Sequence, residues 1–255
     1  MGYETIRFHP GPRTSTIVLD RPPLNIINIT MMEELDQAWQ EIEQRETPLA
    51  LISGHGVKAF SAGVDIADHT PERVREMLEK FHNTIRRIYA SDRISVAVIH
   101  GHTLGGAAEL AMACDFVIAA DNLQLAHPEI DVGCYPPVAA ALLPSMVGMH
   151  RASQLVLLGD TVSAEQAMTM GLVNSVVSGE DLDHAAGELA DRILTKSAAV
   201  LSIAKKALRE GAGNTFAARL KRIETLYLDQ LAHTEDMKEG VEAFMAKRAP
   251  VWKNK

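Results

Sequence analysis

The stretch that decides the fold is GHTLGGAAELA, residues 101–111. It follows an apolar run at 96–99 that is typical of a buried strand, and it leads into a helix predicted over 104–113. Glycines at such a helix start let another group approach the backbone, whose first N–H groups lack partners within the helix. Glu109 stands there among alanines and leucines, so we expect a partly buried carboxyl with a raised pKa that suits proton transfer. A surface glutamate on an alanine-rich helix is the alternative.

A second carboxylate lies in the segment HPEIDVG, residues 127–133, which follows a short predicted strand at 123–125. Pro128 stiffens the chain directly before Glu129, so that carboxyl is held in place and could act as an acid or a base. Asp131 is a rival that has no such neighbour. A solvated loop glutamate is the alternative at this position.

The first 130 residues alternate predicted strands and helices, which is typical of an α/β fold with parallel pairing. Thr30 is expected to cap a helix over 31–45. Thr70, followed by Pro71 at the first helical position, is expected to cap a helix that ends near residue 90. Further strands are predicted at 3–8, 15–20, 49–52 and 116–119.

From about residue 180 onward the spacing of apolar residues is helical throughout. We therefore expect an α/β core over 1–195 that binds the ligand and a helical region over 196–255. The helices are predicted at 182–194, 197–210, 214–231 and 235–247.

The composition of the 255 residues bounds the class of protein: 47% are apolar and 23% are charged, which allows a sizeable core. The net charge of −8 argues against nucleic acid or an anionic membrane as the main partner, because both favour a basic face. Cys114 and Cys134 do not make a disulfide framework, and we expect two reduced thiols. The first residues lack a secretory signal and the chain lacks a membrane-length apolar run, so we expect a cytoplasmic protein.

Common catalytic motifs are missing from the sequence, including the nucleophile elbow, HExxH and the P-loop. His100 and His102 flank Gly101 at a predicted strand end, but no carboxylate lies near them in the sequence. We therefore expect no metal site. The small residues at 61–63 leave room for a ligand against the backbone.

Six segments in this order resemble the crotonase family, the enoyl-CoA hydratases and isomerases, over nearly the whole chain. AFSAGVDI at 59–66 resembles the family's first oxyanion segment, and LGGAAELA at 104–111 resembles its second. Pro128, Glu129 and Ile130 with Gly133 resemble the loop of the second glutamate. The remaining matches are Leu19 to Pro22 with Asn25, Leu158 to Val173, and Glu239 to Arg248.

The resemblance implies a ClpP/crotonase-like α/β fold, a spiral of ββα units with a C-terminal helical region that forms trimers. Two trimers commonly stack into a hexamer, so we expect a homo-oligomer. The resemblance also implies an acyl-CoA substrate; coenzyme A enters as part of that substrate, and we expect no separate cofactor. By the same resemblance, the N–H groups of Ala62 and Gly106 form the oxyanion hole. The residues implied to contact the substrate or its CoA are Ala62, Asp65, Ile66, Gly105, Gly106 and Lys247, the last of these from a neighbouring subunit.

Both glutamate positions of the family are filled here, by Glu109 and Glu129. Hydratases keep two glutamates whereas isomerases often keep one, so the resemblance implies a hydro-lyase. One glutamate, ionised, takes a proton from water that attacks the β-carbon, and the other, protonated, gives a proton to carbon. Two nearby carboxyls have pKa values that are split, and the sequence leaves open which one carries the proton.

Residues 134–144, CYPPVAAALLP, replace a glycine-rich stretch of simple hydratases, and the turn at 22–28 also departs from the common pattern. With the segment from Leu226 to Trp252, these features resemble the cyclohexa-1,5-diene-1-carbonyl-CoA hydratases of anaerobic aromatic degradation, which form 6-hydroxycyclohex-1-ene-1-carbonyl-CoA. The alternatives are a straight-chain enoyl-CoA hydratase or a Δ3,Δ2-enoyl-CoA isomerase. A remote alternative is a non-catalytic member that binds acyl-CoA or RNA. A helix that starts differently from that of simple hydratases would also explain Pro136 and Pro137, without any change of substrate.

Overall fold

The computed structural model describes residues 2–211 and 216–253, so parts of the predicted 1–195, 196–255 and 214–231 ranges lie outside the described residues. The strands are β1 Ile6–His9, β2 Thr14–Leu19, β3 Leu49–Gly54, β4 Ala59–Ser61, β5 Ile94–Ile99, β6 His102–Leu104, β7 Phe116–Ala120, β8 Gln124–Ala126, β9 Val162–Ser163 and β10 Ser175–Val177. The helices are α1 Ile29–Gln44, α2 Val74–Ala90, α3 Gly106–Ala113, α4 Pro137–Val147, α5 Met149–Leu157, α6 Ala164–Met170, α7 Leu182–Leu194, α8 Ala198–Gly211, α9 Phe216–Asp229 and α10 Glu235–Met245.

Two sheets form the framework of the fold. The larger sheet has the order β1-β2-β3-β5-β7-β10, in which β1 runs antiparallel to β2 and the other neighbours pair in parallel. The smaller sheet has the order β4-β6-β8-β9 and is parallel up to β8. The chain passes from a strand of the larger sheet to one of the smaller sheet and then into a helix, as in β5, β6 and α3. The expected fold of ββα units is therefore confirmed.

The larger sheet is covered on both faces, and β5 is buried along its whole length. On one face, Trp39 of α1 and Ile85 of α2 are fully buried in the main core. On the other face, Ala186 and Ile193 of α7 pack in a second apolar cluster. A parallel strand that is buried on both faces needs apolar residues at successive positions, and the sequence of β5 supplies them.

Two helix starts differ from the prediction. Asn28, and not Thr30, caps α1, because the extended Asn28 accepts a hydrogen bond from the Met31 N–H at 3.0 Å while Thr30 is already helical. α2 begins at Val74 after a turn, so the side chain of Thr70 does not cap it. The Thr70 carbonyl instead accepts a hydrogen bond from the Val74 N–H at 2.8 Å.

After β10 the regular elements of the described residues are all helical and include two short 3₁₀ segments, Gly179–Asp181 before α7 and Leu231–His233 before α10. α7 and α8 both pack against strands of the larger sheet, so the boundary at residue 195 stays a prediction. α10 crosses a 3₁₀ helix at Pro128–Val132 so closely that the two backbones touch. A Cβ on Gly240 would lie 2.3 Å from the Val132 carbonyl oxygen, and one on Gly133 would lie 2.7 Å from the Asp236 carbonyl oxygen.

None of the helices within 2–211 and 216–253 is long and apolar enough to cross a membrane. Cys114 and Cys134 are both buried free thiols. In the same part of the chain, no group of three or more His, Cys, Asp or Glu side chains could hold a metal ion.

Candidate active site

Glu109 lies on α3, a helix that is buried at every residue. Its Oε1 accepts a hydrogen bond from the Ala139 N–H, in the first turn of α4, at 2.8 Å. Burial raises the pKa of Glu109 to about 7, and the backbone N–H groups of Ala139 and Val138 act in the opposite direction because they stabilise the ionised form. Glu109 therefore titrates near neutral pH.

Glu129 lies in the 3₁₀ helix Pro128–Val132, next to the start of α3. A Cβ on Gly105 would lie 2.6 Å from Glu129 Oε1, so the glycine leaves the space that the carboxyl occupies. Gly105 also has φ +52° and ψ −123°, a conformation that side chains disfavour. The residue is partly exposed, but its Oε2 is buried and has no hydrogen-bond partner among the described residues. Burial, and then the charge of Glu109, raise the pKa of Glu129 well above its usual value.

The two glutamates line one cleft of about 360 Å³ between the sheets and the helices. The cleft is mostly apolar, which suits a thioester with a hydrocarbon acyl group. Its other lining residues come from four regions: Ala62, Gly63, Val64, Ile66 and His69; Met77, Leu78, Phe81 and His82; Gly105, Gly106, Pro128, Asp131, Val132, Tyr135, Pro136 and Pro137; and Tyr227, Gly240, Phe244, Arg248 and Pro250.

The prediction that the Ala62 N–H is an oxyanion donor is wrong, because that N–H donates to the Leu24 carbonyl at 2.9 Å. Ile27 pairs with the same segment: its N–H donates to the Gly63 carbonyl and its own carbonyl accepts from the Asp65 N–H. Val64, between them, directs its N–H away from this pairing. The Val64 N–H makes no hydrogen bond within the described ranges 2–211 and 216–253.

Gly106 is the first residue of α3, and its N–H is likewise unpaired in the described part of the chain. A Cβ on Gly63 would lie 3.7 Å from the Gly106 nitrogen, and one on Gly106 would lie 2.6 Å from Val64 Cγ2. The structure therefore places the free N–H groups of Val64 and Gly106 on neighbouring segments of the same cleft.

The residues predicted to contact CoA do not all reach this cleft. Ala62, Ile66 and Gly105 line it, together with Gly106. Asp65 lies outside the lining, where its side chain accepts from the Ala67 N–H and pairs with Arg21 at 3.4 Å. Lys247 is exposed and also lies outside the lining within this chain. Contact of these two residues with CoA stays a prediction.

Several polar side chains of the cleft were not predicted from the sequence, among them Tyr135, Tyr227 and His82. Tyr135 donates a hydrogen bond to the Ile223 carbonyl at 2.8 Å, and Tyr227, which is 1% exposed, stands beside it with ring centroids 5.1 Å apart. His82 is fully buried and its Nδ1 lies 2.7 Å from Glu224 Oε1. His82 and Tyr227 sit at helical spacing among apolar residues, so in the sequence they cannot be distinguished from ordinary core positions.

Both the sequence and the fold of this chain are similar to those of known enoyl-CoA hydratases. The sequence model of the enoyl-CoA hydratase/isomerase family matches residues 14–255. A crotonyl-CoA hydratase of Syntrophomonas wolfei is 34% identical over 254 residues, 97% of each chain. A cyclohexa-1,5-dienecarbonyl-CoA hydratase of Thauera aromatica is 31% identical over 238 residues, 93% of this chain and 92% of that protein.

Among solved structures, an enoyl-CoA hydratase from Mycobacterium avium subsp. paratuberculosis superposes with a TM-score of 0.89 over 99% of this chain and 100% of that chain. It is 24% identical in sequence, so this likeness speaks for the fold alone. The family model spans residues 14–255, which include Glu109, Glu129 and every residue that lines the cleft. The chain therefore belongs to the enoyl-CoA hydratase/isomerase family and is a hydro-lyase of that family.

Proposed function

We propose that this chain adds water to the double bond of a 2-enoyl-CoA thioester held in the cleft between α3, α4 and the 3₁₀ helix. The observation that carries the proposal is the pair of buried carboxyls, Glu109 and Glu129, with unequal hydrogen bonding. One proton shared unequally between two carboxyls provides a base and an acid in one site.

Glu109 is the base in this proposal. It accepts the Ala139 N–H, which stabilises its carboxylate, whereas Glu129 Oε2 has no donor among the described residues. The first proton to leave as the pH rises is therefore that of Glu109, and Glu129 keeps its proton at neutral pH. Glu109 takes a proton from water as the water oxygen bonds to the β-carbon.

Glu129 is the acid. The electron pair of the double bond moves toward the thioester oxygen as water attacks, which forms an enolate. The enolate then takes the proton of Glu129 at its α-carbon, and the O–H electron pair stays on the carboxylate. Transfer of the proton from Glu109 to Glu129 restores the starting state.

The enolate oxygen is held by the N–H groups of Val64 and Gly106. Gly106 opens α3, so the positive end of the helix dipole adds to its N–H. Removal of one such donor typically costs about 3 kcal/mol of transition-state stabilisation.

The test is to measure hydration of crotonyl-CoA by the wild-type chain and by Glu109→Gln and Glu129→Gln. We expect the product to gain one water, and we expect each variant to lose about 10²- to 10⁴-fold in kcat. Conversion of a 3-enoyl-CoA to a 2-enoyl-CoA without gain of water would favour the isomerase instead. Full activity in either variant would contradict the two-glutamate mechanism.

For the acyl group, we propose cyclohexa-1,5-diene-1-carbonyl. With this substrate the electron pair spreads over the second double bond as a dienolate. Glu129 gives its proton to the far end of the dienolate and not to the α-carbon, which leaves the ring double bond of 6-hydroxycyclohex-1-ene-1-carbonyl-CoA. The wall of the cleft next to Glu109 is made of Tyr135, Pro136 and Pro137 with Tyr227, and the Tyr135 hydroxyl is fixed to backbone. A stiff wall with flat aromatic faces suits a compact ring better than a long chain. The 31% identity to a hydratase of this substrate supports the proposal, and the 34% identity to a crotonyl-CoA hydratase supports the straight-chain alternative.

Comparison of cyclohexa-1,5-diene-1-carbonyl-CoA with crotonyl-CoA as substrates decides between these two. A kcat/KM at least tenfold higher for the cyclic diene supports the ring. A preference for crotonyl-CoA contradicts it and leaves the two-glutamate mechanism intact.

We further propose that copies of this chain associate through the exposed apolar side chains of its last helices. Leu226, Phe244 and Met245 are at least half exposed, and Trp252 is 42% exposed. Exposed apolar surface of this kind is typical of a contact between chains. Light scattering on the purified protein gives the oligomeric state, and a monomer would contradict this proposal.

A further inference from the structure

His69 and His82 are two histidines of the cleft that the proposed mechanism does not use. His69 ends the 3₁₀ helix Ile66–His69, which follows the segment of the Val64 N–H and packs against α2 and α10. His82 lies on α2. Three further residues of α2 line the cleft and are apolar: Met77, Leu78 and Phe81. A polar nitrogen in such an apolar wall influences which acyl groups the cleft accepts.

The hydrogen bonds of both rings place a proton on Nδ1. His69 Nδ1 lies 3.1 Å from the Asp65 carbonyl oxygen, and a carbonyl only accepts. His82 Nδ1 lies 2.7 Å from Glu224 Oε1. Burial alone would raise the pKa of Glu224, but its contacts with His82 and Arg86 hold that pKa below the usual value. Glu224 is therefore a carboxylate, which also only accepts.

Both imidazoles are neutral at neutral pH. Burial lowers the pKa of His69 and of His82, and it outweighs the opposite effects of Asp65 and Glu224, respectively. In a neutral imidazole with its proton on Nδ1, the other ring nitrogen carries a lone pair and accepts hydrogen bonds. Each ring therefore offers an acceptor at Nε2, and not a donor or a positive charge.

The two Nε2 atoms differ in their access to a ligand. His82 is 0% exposed, and its Nε2 is buried. His69 is partly exposed where it lines the cleft, and its Nε2 is accessible and has no hydrogen-bond partner within the described ranges 2–211 and 216–253. Only the His69 acceptor therefore meets a ligand without movement of the wall.

A bound acyl group decides whether the His69 acceptor is satisfied. A hydrocarbon group excludes water from Nε2 and supplies no hydrogen, which leaves a desolvated acceptor unpaired. The thioester carbonyl is itself an acceptor, so it cannot replace that water. The Tyr135 hydroxyl donates to the Ile223 carbonyl, and Arg248 pairs with Glu239. A hydroxyl group on the ligand supplies the missing hydrogen.

We propose that His69 is a specificity-determining residue whose Nε2 accepts a hydrogen bond from a hydroxyl group on the acyl moiety of the CoA thioester. Two sources supply this chemistry: the hydroxyl that water addition creates, or one that the acyl group already carries. The cleft then binds a hydroxyacyl thioester more tightly than the matching hydrocarbon thioester. This inference rests on the proposed function, which places the acyl group in this cleft.

Calorimetric titration at neutral pH compares butyryl-CoA, which has no hydroxyl, with 4-hydroxybutyryl-CoA and 3-hydroxybutyryl-CoA. The last of these is titrated into Glu109→Gln, with butyryl-CoA as its reference there, so that dehydration does not consume it. We expect a hydroxylated ligand to bind about tenfold more tightly than butyryl-CoA. Preference for 3-hydroxybutyryl-CoA assigns the hydroxyl to the product of hydration, and preference for 4-hydroxybutyryl-CoA assigns it to a substituent.

Variants of the two histidines test whether His69 causes the preference. His69→Phe keeps a flat ring without the acceptor and should abolish the preference. His69→Gln places an amide oxygen near the position of Nε2 and should restore most of it. His82→Phe is the matched control: it should lower stability through loss of the contact with Glu224 and keep the preference. Loss of the preference in His82→Phe but not in His69→Phe would contradict the proposal.

Nitrogen-15 NMR of the wild-type protein checks the tautomer independently of any variant. We expect the His69 proton on Nδ1 at neutral pH, and a proton on Nε2 would overturn the proposal because that nitrogen would be a donor. Equal affinity for all three ligands would also overturn it, since the partner of His69 would then be a group that every CoA thioester carries, such as a pantetheine amide. Failure of all three to bind would instead reject the proposed function, so the two failures are distinguishable.

Discussion

The helix that carries Glu109 and the 3₁₀ helix that carries Glu129 place the same side chain in two different settings. α3 is buried at every position, and its glutamate accepts a backbone N–H from the first turn of α4. The 3₁₀ helix has no fully buried residue, yet it inserts one carboxyl beside Gly105 with an oxygen that has no donor among the described residues. Burial raises both pKa values, and the difference in hydrogen bonding decides which glutamate loses its proton first.

This difference shows how one residue type supplies two functions. Glu109 accepts backbone N–H groups of α4 and ionises at a pH where the protein works, whereas Glu129 has one unpartnered oxygen and faces the charge of Glu109, so it keeps its proton there. Each of the following three experiments tests the setting of one of the two glutamates.

The largest effect is expected for Gly105→Ala. The new Cβ would lie 2.6 Å from Glu129 Oε1, so it displaces the acid while Glu109 stays in place, and its backbone conformation is strained. We expect kcat for crotonyl-CoA to fall at least 100-fold. Gly56→Ala is the control, because Gly56 also has a positive φ but no atom within 4 Å of the added Cβ. An equal loss in the control would show that backbone strain, and not contact with Glu129, is responsible.

A smaller effect is expected on stability. At pH 8 the wild-type fold must hold Glu109 ionised in a buried site, because its pKa is raised from 4.5 to about 7. The folded state binds more protons than the unfolded state between these values, so stability falls as the pH rises through this window. We expect Glu109→Gln to increase the free energy of unfolding at pH 8 by about 3 kcal/mol, and to change it little at pH 4.5.

Urea unfolding at the two pH values measures this gain. Glu129→Gln is the matched variant, and it should give at least as large a gain at pH 8, because the pKa of Glu129 is also raised well above its usual value and the unfolded state is favoured by ionising that carboxyl. A smaller gain for Glu129→Gln than for Glu109→Gln would reverse the assignment of base and acid.

The smallest effect is a tenfold change per pH unit in wild-type activity. Glu109 must be ionised to accept a proton, so kcat/KM for crotonyl-CoA should fall tenfold per unit below about pH 7. The measurement is the initial rate between pH 5 and 9. An acid limb near pH 4.5 would mean that burial does not raise the pKa of the base.

The sequence predicts much of the site because its signals are local. Each glutamate is a polar residue that interrupts a local pattern of small or apolar residues. Glu109 follows the glycine pair at 105–106, and Glu129 follows Pro128. Both segments line the cleft in the structure. The strands near them were also predicted within a few residues, because buried parallel strands consist of short apolar runs.

The sequence does not reveal what depends on pairing between distant segments. Ala62 and Val64 lie in the same stretch of small residues, and only the bonds of that stretch to Leu24 and Ile27 decide which N–H is free. Tyr227 reaches the cleft because α9 packs against α4. Asn28 and Thr30 are both good caps, and the choice between them follows from where the chain leaves its extended conformation.

The contact between Gly240 and the Val132 carbonyl has a consequence for how the protein is made. The ribosome completes Glu109 and Glu129 about a hundred residues before it completes α10. A growing chain folds in this order, so α/β units can form while the segment that carries Glu129 still lacks the helix that supports it. The strands and the helix that position Glu109 are therefore synthesised well before α10, which completes the cleft through Gly240 and Phe244 and packs against the segment of Glu129.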